Sequence, residues 1–153
     1  MAAELQEIYA RIPHRPPFLW VDRIVDIKED SITAEKYISP DLPLFKGHYP
    51  EYPLMPGVLI CEAVFQAGAI LMTEILSRRN QDDNGPGAHI VPVVTRIYNA
   101  KFKRPILPGD TLLISATVNE VLGPAWILKG KVTVNNKVAL KVEYGCTLTE
   151  KKG

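Results

Sequence analysis

The stretch GVLICEAVFQAGAILMTEILSRR, residues 57 to 79, limits the fold more than any other. It runs without a proline, and its first turns are apolar on nearly every side. That pattern predicts one long helix which other structure must wrap. Pro56 is well placed beside the first turn, and Arg78 and Arg79 complement the helix dipole at the far end. Residues 3 to 10 could form only a short helix, ended by Pro13. No second long helix is available.

The rest of the chain reads as strands. Candidates are 18 to 27, 31 to 38, 89 to 105, 111 to 122, 125 to 134 and a last strand from 137. In the last, Val138, Leu140, Val142, Tyr144, Cys146 and Leu148 point one way, and Lys137, Ala139, Lys141, Glu143, Gly145 and Thr147 the other. The short turns KED, PGD, LGP and NNK imply an antiparallel sheet. Two longer connections remain. One is a proline-rich loop, 39 to 56, too rich in proline for regular structure and so stiff. The other is NQDDNGPG, 80 to 87, read as a flexible loop. The economical architecture is α+β: one bent sheet wrapped around one helix, in a single domain spanning 1–153. Exposed sheet edges would invite pairing with a second copy.

Composition narrows the function classes. A net charge of +1 argues against a whole-molecule polyanion binder, so no nucleic acid is expected. Cys61 and Cys146 each sit in an apolar pattern and read as core thiols, which fits a reducing, cytoplasmic compartment. The segment MAAELQEIYARIPHR has no apolar core of a secretory signal. No run of about twenty apolar residues free of charge is found, so no membrane span is expected.

Glu62 is the anomaly. It is a carboxylate among Leu59, Ile60, Cys61, Ala63, Val64, Phe65 and Ala67, with only Gln66, at i+4, as a polar neighbour on its own side. It could face a solvent gap or pair with an arginine. If it were buried and unpaired its pKa would rise, as a general acid requires. His48, in the stiff loop FKGHYPEYP, could be a surface residue or a general base held in one place. His14 reads as chain positioning and His89 as the start of a strand, so both are weaker candidates. At the helix start, Gly57 and Val58 offer backbone N–H groups at the positive end of a dipole, able to polarise a carbonyl oxygen. A base, an acid and an oxyanion donor fit proton abstraction beside a carbonyl and loss of a β-hydroxyl. Spacing alone does not bring His48 and Glu62 together.

GHYPEYPLMPGVLICEAVFQ resembles the signature of the FabZ-type 3-hydroxyacyl-[acyl-carrier-protein] dehydratases, and IPHRPPFLWVDRI and NAKFKRPILPGD resemble its flanking segments. The resemblance covers roughly residues 11 to 148. It implies a hotdog fold and a homodimer with shared active sites, in many members a trimer of dimers. It implies a lyase of fatty acid biosynthesis that converts (3R)-3-hydroxyacyl thioesters into trans-2-enoyl thioesters. The catalytic pair would be His48 of one subunit and Glu62 of the other, with the Gly57 N–H on the thioester carbonyl and Val58, Phe65 and Gln66 near the substrate. No metal and no redox cofactor are implied. The acyl chain would arrive on the phosphopantetheine arm of acyl carrier protein, an acidic partner for which Arg78, Arg79, Lys101, Lys103 and Arg104 are candidate contacts.

The chain departs from the family pattern in places. Phe65 stands where a small residue is common, which puts chain-length range in question. Glu51-Tyr52 replaces a commoner Gly-Arg pair, Tyr98-Asn99 an acidic-basic pair and Trp20 a common leucine. These leave room for a specialised pathway. Alternatives are a thioesterase of the same fold or a non-catalytic acyl-binding module. The former needs no histidine in a Gly-His loop, and the latter would be expected to have lost His48 or Glu62.

Overall fold

A computed structural model describes residues 2–80 and 90–150. Among these, a short helix α1 (Ala2–Tyr9) precedes strands β1 (Arg23–Ile27) and β2 (Ser31–Tyr37). A 3-10 turn (Pro43–Lys46) interrupts the proline-rich loop before helix α2 (Gly57–Asn80). Strands β3 (Ile90–Phe102), β4 (Thr111–Leu122), β5 (Ala125–Val134) and β6 (Lys137–Glu150) follow. His89 and positions 81 to 87 of the predicted loop lie outside the described residues.

The six strands form one antiparallel sheet in the order β1-β2-β4-β5-β6-β3. Its inner face is the alternating apolar set: Ile32 and Ala34, then Ile114 and Ala116, then Leu128 and Val132, then Leu140, Val142 and Tyr144, all buried. The sheet closes on α2, whose Ile60, Ala63, Val64, Ala67, Ile70 and Leu71 are buried against it. This is the α+β wrap expected from one all-round apolar helix. The approach is close because glycines face it. A Cβ on Gly130 would collide with the Val64 side chain, and one on Gly68 with the Tyr144 hydroxyl.

Glu62 and Glu74 interrupt the longest apolar run, so no stretch of about twenty residues is free of charge. By length and mean hydropathy alone, 1.7, α2 would still be long and apolar enough to cross a membrane. Its apolar surface is instead taken up by the sheet, as in a core helix.

The first predicted strand needs correction. Regular pairing starts only at Arg23, not at 18. The apolar run before it bonds to a side chain: Gln66 accepts from the Trp20 N–H at 2.7 Å and donates to the Phe18 carbonyl at 3.0 Å. In β6 the simple alternation slips. Val132 pairs with Leu140 but Thr133 with Val138, so Ala139 is extra and turns inward, buried.

Among the described residues β3 is a long edge strand, paired only with β6. Val93, Val94, Ile97, Tyr98 and Phe102 are exposed along it. That is an unusual amount of apolar surface for an unpaired edge.

Candidate active site

The proline-rich loop builds the first half of the site. The N–H groups of Gly47 and His48 both donate to the Leu44 carbonyl, at 3.1 and 2.9 Å, so the chain turns sharply after the 3-10 segment. Tyr49 takes a left-handed φ of 52°, and its ring lies edge-on to the His48 imidazole, centroids 4.6 Å apart. The Met55 N–H donates to the Ile106 carbonyl at 2.8 Å and pins the end of the loop to the turn beyond β3. Held this way, His48 places Nδ1 2.8 Å from the Leu54 carbonyl oxygen. A carbonyl oxygen only accepts, so Nδ1 carries a proton, and in the neutral ring the lone pair is on Nε2.

The start of α2 adjoins this imidazole. Leu59 N–H closes the first turn on the Pro56 carbonyl at 3.0 Å. Gly57 and Val58 are the first helical residues, and their N–H groups have no acceptor in the preceding turn. Gly57 is small for a reason: an added Cβ would stand 2.7 Å from Phe102 Cε1. The ring at the end of β3 thus rests directly on the helix start. His48, Gly57, Ile60 and Phe102 line one cavity of about 440 Å³, with Lys103 and Arg104 at its wall. The Val58 side chain faces solvent, 73% exposed, so any part it plays is through its backbone.

Glu62 belongs to a second cavity, of about 240 Å³, lined by His14, Phe65, Gln66, Ala69, Cys146 and the Pro92–Val94 end of β3. It is neither unpaired nor fully buried, so of the readings left open by the sequence the partly solvent-facing, hydrogen-bonded one is found. Its side chain is 23% exposed, and Oε1 accepts from Gln66 Nε2 at 3.1 Å. Gln66 is itself buried and fully used, with two donor contacts and one acceptor contact. Its amide orientation is therefore fixed, and it holds Glu62 to one rotamer. Phe65 leans on Tyr144, centroids 4.6 Å apart, and forms one wall.

His14 is the residue that sequence reasoning undervalued. The turn after α1 carries it to 3.7 Å from Glu62 Oε1 through Nε2. Its Nδ1 is buried without a hydrogen-bond partner. Burial lowers its pKa, the charge of Glu62 works in the opposite direction, and Arg15 adds to the lowering. Cys146 in the same wall is a poor thiolate, its pKa pushed up to about 12 by burial. Among the described residues, no group of three or more His, Cys, Asp or Glu side chains gathers as a metal site.

The structure therefore gathers His48 with Gly57, and Glu62 with Phe65 and Gln66. The two groups line separate cavities of the same chain. Arg78 and Arg79 are remote from the His48 cavity, beside Glu29, Asp30 and Trp126. Lys101 lies on the outer sheet face with Lys129, Lys131 and Lys141.

The FabA-like domain model matches residues 12–143. The 3-hydroxyacyl-[acyl-carrier-protein] dehydratase FabZ of Verminephrobacter eiseniae is 36% identical over 146 residues, 95% of this chain and 93% of that protein. The FabZ of Oceanobacillus iheyensis is 38% identical, covering 92% and 94% respectively. In fold the chain is similar to a subunit of the dehydratase heterocomplex ApeI:P of Xenorhabdus doucetiae, with a TM-score of 0.73 and 13% identity over 94% of this chain and 91% of that one. By sequence over nearly its whole length, the chain belongs to the FabZ-type 3-hydroxyacyl-[acyl-carrier-protein] dehydratases of the FabA-like family.

Proposed function

We propose that the chain dehydrates (3R)-3-hydroxyacyl thioesters of acyl carrier protein to trans-2-enoyl thioesters, at two sites shared across a homodimer. His48 Nε2 takes the α-proton while the N–H groups of Gly57 and Val58 stabilise the negative charge growing on the thioester oxygen. Glu62 of the second subunit gives its proton to the departing β-hydroxyl. The chemistry consists of proton transfers and a polarised carbonyl, so side chains and backbone can supply all of it and no metal or redox cofactor is invoked.

One observation carries the shared-site reading. The two cavities flank opposite ends of the same edge strand. Phe102 closes the His48 cavity, and Pro92–Val94 close the Glu62 cavity. A two-fold antiparallel pairing of β3 with its copy, centred near Ile97 and Tyr98, lays each end against the other. The His48 cavity of one chain then faces the Glu62 cavity of its neighbour, and the exposed apolar residues of β3 fill the seam.

Lys103 and Arg104 beside the His48 cavity suit the mouth through which a phosphopantetheine arm of an acidic carrier would enter. Phe65 on Tyr144 suits a stop for the acyl chain in the other half. The free, buried thiols Cys61 and Cys146 are in keeping with a cytoplasmic protein.

The test is to incubate the protein with 3-hydroxybutyryl and 3-hydroxydecanoyl carrier-protein thioesters and follow their mass. Loss of water is expected. Release of free acid would make the chain a thioesterase, and no change at either length, with folded protein, would leave only a binding role.

A further inference from the structure

Resting on the reading of Glu62 as the acid, we propose that His14 is a positioning residue: a neutral imidazole whose Nε2–H, together with Gln66, occupies Glu62 Oε1 and leaves Oε2 to carry the transferred proton. Two donors converge on one carboxyl oxygen. Gln66 Nε2 is 3.1 Å from Oε1, and His14 Nε2 is 3.7 Å from the same atom. The first is a formed hydrogen bond. The second falls just outside that range and comes within it by a small movement of a partly exposed carboxylate, the kind of tightening that substrate binding brings to active-site contacts.

The environment selects the tautomer. Nδ1 of His14 is buried with no partner. A proton there would be a buried donor with nothing to accept it, a costlier arrangement than a bare lone pair. The imidazolium would place protons on both nitrogens and meet the same penalty. The remaining form carries its proton on Nε2, toward Glu62.

The chemical consequence is an asymmetric acid. In a protonated carboxyl group one oxygen is carbonyl-like and accepts, and the other bears the hydrogen. Two donors on Oε1 make it the accepting oxygen. The proton sits on Oε2, and transfer moves that proton to the leaving hydroxyl while the charge left behind spreads onto an oxygen already held by two donors. Gln66 cannot do this alone without rotating, because its amide is locked by Phe18 and Trp20.

The test pairs spectroscopy with kinetics. In nitrogen-15-labelled wild-type protein, His14 should show a protonated Nε2 and a bare Nδ1 near neutral pH. A proton on Nδ1 would overturn the proposal without touching the role of Glu62. His14→Phe keeps the ring volume but cannot donate. It should lower kcat about 10- to 100-fold with little change in KM, comparable to losing an outer partner of a functional ligand. His14→Gln, which can donate, should recover most of that loss. Equal rates in the phenylalanine and glutamine variants would overturn the proposal while an inactive Glu62→Gln kept the acid assignment. An active Glu62→Gln would overturn both.

Discussion

His48 Nδ1 lies 2.8 Å from the carbonyl oxygen of Leu54, a residue of the same stiff loop. This contact fixes the imidazole before any substrate arrives and leaves Nε2 for the proposed role as base. His48→Ala and Glu62→Gln should each lower kcat/KM by at least about a hundredfold, with circular dichroism unchanged. Mixing the two inactive variants should restore part of the activity once subunits exchange, because one of the two sites in a mixed dimer regains both groups. Exchange demonstrated by mass, without recovered activity, would argue against sites built from two chains.

Phe65 should set the length of acyl chain accepted. Its ring stands in the Glu62 cavity and leans on Tyr144. Phe65→Ala opens that wall, so kcat/KM for 3-hydroxydecanoyl thioester should rise relative to 3-hydroxybutyryl. An unchanged ratio across a chain-length series would mean that the acyl chain runs elsewhere.

Charge reversal at Lys103 and Arg104 should raise KM for carrier-protein substrates by about tenfold, an effect that shrinks as salt is added. A short pantetheine thioester, which carries no acidic protein, should be turned over as before. A matching reversal at Arg78 and Arg79, which sit beside Glu29, Asp30 and Trp126, should leave both KM values alone.

Gly130→Ala should destabilise the protein by about 1–3 kcal/mol, read as a lower Tm. The new methyl would meet Val64 on the buried face of α2, where neither backbone can retreat. Gly130→Ala combined with Val64→Ala should regain part of the loss.

The pH dependence of stability should carry a His14 component. Burial lowers its pKa in the folded protein from 6.5, so the unfolded chain binds a proton that the folded chain does not. That contribution is fully present above about pH 6.5 and is lost as pH falls through the folded pKa. His14→Phe should flatten the decline of Tm below pH 6.5, and an unchanged slope would assign it to other groups.

The helix and the last strands were readable because their signals are local. An apolar surface on all sides over residues 57 to 79 leaves few options besides a wrapped helix, and β6 alternates once past the irregularity at Ala139. The segment from Phe18 to Val21 misled because its backbone partner is the side chain of Gln66, far along the chain. His14 escaped for the same reason. Nothing in Pro-His-Arg-Pro-Pro announces a carboxylate that the fold delivers from α2. Glu62 was found as an oddity with Gln66 beside it at i+4, but its contact with His14, and the locking of Gln66 by Phe18 and Trp20, emerge only when α2 lies beneath the N-terminal segment.

Phe102 rests on Gly57 so closely that no side chain fits between them. The last residue of the exposed edge strand thereby braces the two amides proposed to hold the thioester oxygen. If β3 is the seam, subunit affinity and turnover share one mechanical part. Dilution would then behave like an inhibitor. Specific activity should fall with enzyme concentration along the same curve as the dimer fraction, and a small molecule wedged at Phe102 would slow the reaction without occupying the acyl path.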